Sequence, residues 1–213
     1  MPEPLPRTFY ARPVLQVAPD LIGKQLVHVT AEGICRGRIV EAEAYRGPED
    51  LAAHSAGGRR TKRTEVMWGP PGHAYMFLLY GMHWAFNVVV AGEGEPQAVL
   101  IRALEPLTPL APLAARRNMA EERKELTNGP GKLCAALGLD GSHYGEDLCV
   151  CERLYLTDGD RGRVGEGRGL SSTPRGRIGR SPRIHIDYAG AWVDKPWRFY
   201  ERGNRYVSVK PRA

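Results

Sequence analysis

The chain has 213 residues, 42% of them hydrophobic, and carries a formal net charge of +6 with a pI near 9.3. This length and hydrophobic content indicate one domain with a sizeable core, and the glycine and proline content is too low for a disordered chain. The four cysteines form no C-x-x-C pair, so they indicate neither a disulfide framework nor a zinc site, and the motif of zinc-dependent base deaminases is absent. Most basic residues are arginines, whose planar guanidinium binds phosphate, so the composition favours a nucleic-acid partner.

The N-terminal part of the sequence predicts a tail, a helix and a strand. Residues 1–8 are proline-rich and lack the pattern of a secretory signal. We therefore expect a flexible tail and a cytoplasmic protein, associated with the nucleoid when it binds DNA. Apolar residues recur at helical spacing over 13–21, and Gly23 follows as a stop signal. Residues 25–30 have the composition of a strand.

The segment 39–45, with the sequence IVEAEAY, alternates with the period of two that indicates a β-strand. One face of this strand carries Ile39, Glu41, Glu43 and Tyr45. Two carboxylates and a phenol on one face suggest a polar cleft. For an isolated string of this kind, the more common alternative is an edge strand with solvated glutamates. The segments that follow favour the cleft.

Residues 69–92 contain no Asp, Glu, Lys or Arg. This window is long enough for a membrane-spanning helix, which needs about 20 apolar residues. Turn residues open this window, however, and its two histidines and one asparagine would be costly in hydrocarbon. Aromatic and β-branched residues over 74–80 and 82–91 instead predict a β-hairpin with its tip at 80–82. The tyrosine at the tip follows the basic residues 59–63 and is suited to enter stacked bases from the minor groove, although exposed tyrosines are more often incidental.

The next segments predict a buried strand and an exposed helix. Residues 98–103 form an apolar run that carries a single arginine. This residue, Arg102, either belongs to a site or pairs with a structural carboxylate such as Glu105. Charged residues along one side of 113–126 predict a helix that is exposed on that side.

Glycine-rich and basic segments occupy the second half of the chain. The turn at 128–131 leads into a helix, and the first amides of that helix together with Lys132 suit a bound phosphate. Residues 159–182 predict a basic loop whose arginines continue to Arg183, and which is either a phosphate contact or a solvated insertion. Residues 197–209 predict a closing hairpin that turns at a Gly-Asn pair.

Five long motifs follow one another in the chain: GRIVEAEAYRGPEDLAAHSAGGRRTKR, PGHAYMFLLYGMHWAFN, AVLIRALEP, NGPGKLCAALGL and PWRFYERGNRYVSV. In this order they resemble the alkyladenine (3-methyladenine) DNA glycosylase family, and the resemblance covers nearly the whole chain. It implies an α+β fold in which residues 1–213 form a single domain, with a curved antiparallel β-sheet, flanking helices and a protruding β-hairpin that enters the DNA minor groove. We also expect a monomer that needs no metal ion, no other cofactor and no membrane.

The resemblance assigns three residues to the reaction and to the opening of the duplex. Glu43, the second carboxylate of EAEAY, matches the family's general base. Arg102 matches an arginine near the catalytic water and the target nucleotide. Tyr80 matches the tyrosine that fills the gap left by the extruded nucleotide.

The resemblance also implies a pocket for the flipped base. Tyr45 and His54 match residues that sandwich and contact this base, and Asn87 matches a residue that excludes normal guanine by a clash with its amino group. Phe77 stands where the family's animal members have a tyrosine on the stacking wall, so the π-face is kept and the hydroxyl is lost. Charge and position suggest three phosphate contacts, which are Arg59, Arg60 and Lys132.

The implied function is the removal of alkylated or deaminated purines from double-stranded DNA, such as 3-methyladenine, 7-methylguanine, hypoxanthine and ethenoadenine. The damaged nucleotide rotates out of the duplex, and a water activated by Glu43 hydrolyses the N-glycosidic bond. No pocket lysine is implied, so we expect a monofunctional enzyme that leaves an abasic site and has no lyase activity. Two alternatives stay open: a non-catalytic nucleic-acid-binding protein that uses the same basic surface, and a largely helical helix-hairpin-helix glycosylase.

Overall fold

The computed structural model describes residues 2–158 and 177–210, and eight strands in these ranges form one antiparallel sheet. The strands are β1 (Gln25–Thr30), β2 (Gly33–Tyr45), β3 (Ala74–Leu79), β4 (His83–Val90), β5 (Gln97–Pro106), β6 (Leu154–Thr157), β7 (Ile178–Ser181) and β8 (Arg198–Glu201). The α-helices are α1 (Arg7–Tyr10), α2 (Val14–Leu21), α3 (Leu110–Arg117) and α4 (Pro130–Leu137). The order along the sheet is β3-β4-β5-β2-β1-β6, with β8 between β2 and β7, and the sheet is not closed into a barrel.

The long strand β2 is the centre of this sheet. Its first half pairs with β1 and its second half with β8, while β5 runs along its other side. The pairing with β5 shifts its register on both sides of Glu41, so that Val40 on β2 and Arg102 on β5 have no partner. Such a bulge changes which side chains share a face. Ile39 therefore packs in the core with the alanines of β2, and the prediction that it shares a face with Glu41 is wrong.

Helices α2 and α4 cover one face of the sheet. Helix α2 packs on β2 and β5, and α4 packs on β4 and β5. The buried residues of α2 recur at helical spacing, as expected of an amphipathic helix. In the described ranges, no helix has both the length and the hydropathy that crossing a membrane requires.

The structure confirms most of the locally predicted elements. The helix predicted at 13–21 is α2, and the strand predicted at 25–30 is β1. The charge-free window is the β3-β4 hairpin, with residues 80–82 at its tip. The apolar run at 98–103 lies within β5, and the glycine turn leads into α4.

The helix predicted over 113–126 is wrong in its extent. Helix α3 ends at Arg117 because Asn118 adopts the left-handed conformation, with φ of 47°, and caps the helix. Asparagine is one of the few residues that accept this conformation readily, so it acts as a stop signal. A short 3-10 turn, Lys124–Leu126, follows separately.

The closing hairpin predicted at 197–209 is also wrong. Strand β8 pairs with β2 and β7, and no described strand follows it. The second half of β2 has an edge that β1 leaves unpaired, and β8 occupies that edge. The chain then returns to β2, where Ser208 donates two hydrogen bonds to Glu41.

The predicted N-terminal tail is packed against the domain. Leu5 is buried, and its N–H donates to the carbonyl oxygen of Leu156 at 2.7 Å. Arg7 begins α1 and forms a salt bridge with Asp147. The proline-rich start is therefore anchored from Leu5 onwards.

The predicted basic loop is only partly within the described residues. Residues 159–176 lie outside them. Residues Ile178–Ser181 form β7, so the loop prediction is wrong for that part.

Candidate active site

A cavity of about 280 Å³ is lined by residues of four strands, β2 to β5, together with the start of α4 and the connecting segments around residues 52–54, 67, 80 and 184–188. Its volume is close to the lower limit of about 300 Å³ for small-molecule pockets, which suits a compact ligand. The residues that the sequence predicts for the base pocket, the catalytic arginine and the hairpin tyrosine all line it. These residues are Tyr45, His54, Phe77, Tyr80, Asn87 and Arg102.

An aromatic wall borders this cavity. The rings of His54 and Phe77 meet edge to face with centroids 4.5 Å apart, and the ring of Tyr75 lies 5.5 Å from that of Phe77. The Tyr75 hydroxyl shares a hydrogen bond of 2.7 Å with Nδ1 of His54. Burial lowers the pKa of His54 to about 4, and the charges of Arg63 and Arg59 add to this effect. His54 is therefore neutral at physiological pH, and the wall is an uncharged aromatic surface.

We expect His54 to make the folding stability depend on pH. Its pKa falls from 6.5 to about 4 on folding, so the unfolded chain binds the proton more tightly. The contribution of neutral His54 to the folding stability is fully present above pH 6.5 and is lost as the pH falls towards 4. In urea unfolding over this pH range, the native protein should lose more stability than His54→Gln. An equal loss in both proteins would contradict the lowered pKa.

Tyr45 connects the cavity to the carboxylate behind it. Its hydroxyl donates a hydrogen bond of 3.0 Å to Oε2 of Glu43. Burial raises the pKa of Tyr45 well above its ordinary value, and the charge of Glu43 adds to the shift. The phenol therefore keeps its proton and remains a donor. The guanidinium of Arg183 lies over the Tyr45 ring, 4.8 Å from its centroid, and Tyr45 also lines the cavity.

Glu41 is fully buried, and both of its oxygens are occupied. Oε1 accepts hydrogen bonds from Nε of Arg102 at 3.1 Å and from Nε of Arg198 at 2.7 Å. The hydroxyl of Ser208 also donates to Oε1, at 2.8 Å, and the backbone N–H of Ser208 donates to Oε2 at 2.6 Å. This carboxylate neutralises two buried arginines and holds the end of the described chain.

Glu43 is fully buried as well, but its partners belong to the cavity wall. Oε2 accepts hydrogen bonds from the Tyr45 hydroxyl and from Nη1 of Arg102, the latter at 3.3 Å. Oε1 accepts the backbone N–H of Ile184 at 2.8 Å. Glu43 itself does not border the cavity and lies directly behind these three residues. Of the two carboxylates, Glu43 is therefore the one connected to the cavity by all its hydrogen bonds.

Arg102 lies between the two carboxylates and reaches the cavity wall. Burial opposes its positive charge, but Glu43 and then Glu41 raise the pKa of Arg102 above its ordinary value. The alternative that it pairs with Glu105 is wrong, because Glu105 forms a salt bridge with Arg38. The bulge on β5 is the local feature that sets Arg102 apart from the regular strand pairing.

Asn87 is buried on β4 and lines the cavity. Its Nδ2 donates a hydrogen bond of 3.0 Å to the backbone oxygen of Tyr75 on β3. This bond fixes the orientation of the carboxamide, so the amide presents a defined polar surface to a ligand.

Tyr80 lies at the tip of the β3-β4 hairpin, as predicted. Tyr80 and Gly81 both have positive φ, 51° and 70°, as a two-residue hairpin turn of this type requires. The N–H of Met82 donates to the carbonyl oxygen of Leu79 at 3.0 Å and closes the turn. Tyr80 is 80% exposed and Met82 is 72% exposed. Two large side chains therefore project from the hairpin tip, where a partner surface can cover them, and Tyr80 also lines the cavity.

The family model of methylpurine-DNA glycosylase matches residues 8–205. The chain belongs to the methylpurine-DNA glycosylase family. A Bacillus cereus (strain B4264) protein named "Putative 3-methyladenine DNA glycosylase" is 50% identical over 96% of this chain and 98% of its own length. A protein of the same name from Bacillus anthracis (strain A0248) is 49% identical over the same shares. The chain is thus a DNA glycosylase of base excision repair, and its eight-stranded sheet excludes the helix-hairpin-helix alternative.

Two of the three predicted phosphate contacts of this glycosylase are engaged within the protein. Arg60 forms a bidentate salt bridge with Glu65, and its guanidinium lies 5.6 Å from the centroid of the Trp68 ring. Nζ of Lys132 donates a hydrogen bond of 3.0 Å to Oδ1 of Asn128. Glu65 already neutralises the charge of Arg60, so Arg60 is a weaker candidate than its charge suggests. The ammonium group of Lys132 has three N–H donors, and its one hydrogen bond to a neutral amide leaves its charge available to a phosphate.

We expect Arg59 and Arg63 to contribute more to DNA affinity than Arg60. Both lower the pKa of His54, so both lie near the cavity, and neither forms a salt bridge with another described residue. Arg63→Ala should weaken binding to a lesion duplex and reduce the slope of log K against log salt by about 0.9 for each phosphate that is no longer neutralised. Fluorescence anisotropy at several salt concentrations measures this, with Arg60→Ala as the matched control. A salt-independent affinity of the native protein would contradict phosphate binding altogether.

Sequence reasoning missed part of the glycosylase pocket. Ile184, His185, Ile186 and Tyr188 line the cavity, yet their sequence has no helix or strand signal. Only the position of this segment between β7 and β8 brings it there. Tyr75 was missed as well, although it lies two residues before Phe77 on β3 and so on the same face.

Proposed function

We propose that this protein is a monofunctional glycosylase that binds an alkylated or deaminated purine in the cavity and hydrolyses its N-glycosidic bond with a water activated by Glu43. The observation that carries the proposal is the hydrogen bonding of Glu43, all of whose partners line an aromatic cavity. The substrates would be purines flipped out of double-stranded DNA by a monomeric enzyme in the cytoplasm, at the nucleoid.

The cavity wall supports selection of damaged purines. An electron-poor or cationic alkylated ring stacks favourably on aromatic faces, and Tyr45 and Phe77 supply such faces. Phenylalanine at position 77 provides the π-face without a hydroxyl group. Asn87 supplies a fixed polar group that would clash with the exocyclic amino group of guanine. On this basis 3-methyladenine, 7-methylguanine, hypoxanthine and ethenoadenine are the candidate substrates.

The chemistry follows from the groups around Glu43. The carboxylate accepts a proton from water, the water oxygen forms a bond to C1′, and the C1′–N bond breaks with its electron pair leaving on the base. Arg102 offsets the buried negative charge, and Tyr45 and the Ile184 amide hold the carboxylate in place. No lysine occurs among the described residues that line the cavity, so the proposal includes no covalent imine with the sugar and no lyase step.

Base release from defined duplexes tests this function. Each duplex carries one of the four lesions, and strand breaks are measured with and without alkali. We expect release that needs alkali to reveal the abasic site and that survives excess EDTA. A non-catalytic binding protein would show affinity without base release. Strand cleavage without alkali would contradict the monofunctional mechanism, and loss of activity with EDTA would contradict the metal-free one.

A further inference from the structure

Arg183 is a buried arginine that contacts the strand of the candidate general base. Its side chain and that of Asp50 are both fully buried. Nη1 and Nη2 donate to the two carboxylate oxygens of Asp50 at 2.5 and 2.8 Å, and Nη1 also donates to the carbonyl oxygen of Ala44 at 2.9 Å. Because Ala44 lies between Glu43 and Tyr45 on β2, this contact is made within the site itself. The prediction that Arg183 belongs to an exposed basic loop is therefore wrong.

The guanidinium of Arg183 also packs over two aromatic rings. It is 4.8 Å from the ring centroid of Tyr45 and 5.1 Å from that of Trp197. A planar guanidinium can stack on both rings while its edge binds a carboxylate, which an ammonium group cannot do. Arg183 therefore restricts the orientation of the Tyr45 ring.

Asp50 extends this arrangement to the loop after β2. Its Oδ2 accepts the backbone N–H of Arg46 at 3.1 Å, and its Oδ1 accepts that of Ala52 at 3.0 Å. Ala52 lines the cavity. The Asp50–Arg183 pair consequently joins β2, this loop and the segment that follows β7.

The residue next to Arg183 binds the carboxylate of Glu43. The N–H of Ile184 donates to Oε1 of Glu43 at 2.8 Å, so the anchoring of Arg183 sets the position of this donor. His185 then has a positive φ of 58°, a strained conformation that persists only where the surrounding structure holds it. The strained residue lies two positions after the anchored arginine.

We propose that Arg183 is a positioning residue of the glycosylase reaction, which holds the Tyr45 ring and the Ile184 amide and thereby orients Glu43. The inference rests on the proposed role of Glu43 and deepens it. Arg183 does not border the cavity and so acts through its neighbours. Stability alone is a weak explanation for the pair, because buried ion pairs contribute little compared with well-packed apolar replacements.

The first test compares Arg183→Lys with Arg180→Lys. Lysine keeps the charge but loses the planar fork and the stacking. Arg180 is the matched control, because it also stacks on an aromatic ring, Phe199, but is exposed and outside the cavity. We expect Arg183→Lys to keep the duplex affinity of the native protein in a gel shift. Its single-turnover rate of hypoxanthine release should fall by roughly 10- to 100-fold, since a misplacement of about 1 Å has effects of this order.

A second variant covers the case in which Arg183→Lys does not fold. The double replacement Asp50→Asn with Arg183→Met removes both buried charges and keeps an acceptor at residue 50. We expect it to melt cooperatively, to bind the duplex and to have the same lowered rate. An unchanged rate in a folded variant would overturn the inference. Equal losses of affinity and rate, or failure of both variants to fold, would instead show a purely structural role and overturn it too.

Glu43→Gln, measured in parallel, separates this inference from the proposed function. If Glu43→Gln released base at the native rate, the proposed mechanism would fail whatever Arg183 does. If Glu43→Gln is inactive and Arg183→Lys has the native rate, only the positioning role is lost.

Discussion

Replacement of Glu43 by glutamine is expected to stop base release almost completely while DNA binding persists. Glutamine keeps the shape of the side chain, and its amide oxygen can still accept a hydrogen bond, but it cannot take a proton from water. Loss of a general base typically lowers the rate by about 10²–10⁴-fold. Single-turnover release of hypoxanthine from a duplex, together with a gel-shift affinity for the same duplex, measures both properties.

Glu41→Gln is the comparison for this prediction, and its loss of activity should be far smaller. The structure adds a second expectation, because Glu41 is buried between Arg102 and Arg198 and also accepts the hydrogen bonds of Ser208. Removing one partner of a buried ion pair costs roughly 3–5 kcal/mol of unfolding free energy. The rates should therefore be compared at a temperature at which circular dichroism shows both variants folded. If folded Glu41→Gln were inactive and Glu43→Gln turned over normally, the general base would be Glu41 and not Glu43.

Replacement of Tyr80 by alanine is expected to weaken excision from duplex DNA by roughly one to two orders of magnitude. The Tyr80 ring is exposed at the hairpin tip, and we propose that it fills the space that an extruded nucleotide leaves in the base stack. Stacking of a base on an aromatic side chain contributes about 1–3 kcal/mol, which the alanine variant cannot recover. The measurement is single-turnover release from a duplex in which the lesion is stably paired.

Two further variants separate the ring from the turn. Tyr80→Phe keeps the ring and should stay close to the native rate. Tyr80→Gly removes the ring but accepts the positive φ of 51° at this position, so a loss of activity in this variant cannot come from backbone strain. Full activity of Tyr80→Ala on a stably paired lesion would mean that the tyrosine does not fill the gap.

Local patterns in the sequence were enough to predict the elements that position part of the site. Helix α2, strand β1 and the β3-β4 hairpin are predicted by hydrophobic periodicity and turn residues. These signals involve only residues that are close together in the sequence. The hairpin prediction also placed Tyr80 at the tip, where the structure has it. Alternation along β2 placed Glu41, Glu43 and Tyr45 on one face, and the family motifs selected Glu43 from the two carboxylates.

The tertiary structure alone decided which of these groups meet. Because the pairing of β2 with β5 is irregular, Ile39 packs in the core and Arg102 lies between both carboxylates. A local sequence pattern cannot predict an irregular pairing with a strand that is distant in the chain. Arg183 looked like one more charge in a basic segment, but it is buried against Asp50. The sequence by itself thus determined the side chains and strands that the site would use. Their hydrogen-bond partners depend on pairings between segments far apart in the chain, which form only when the whole sheet assembles.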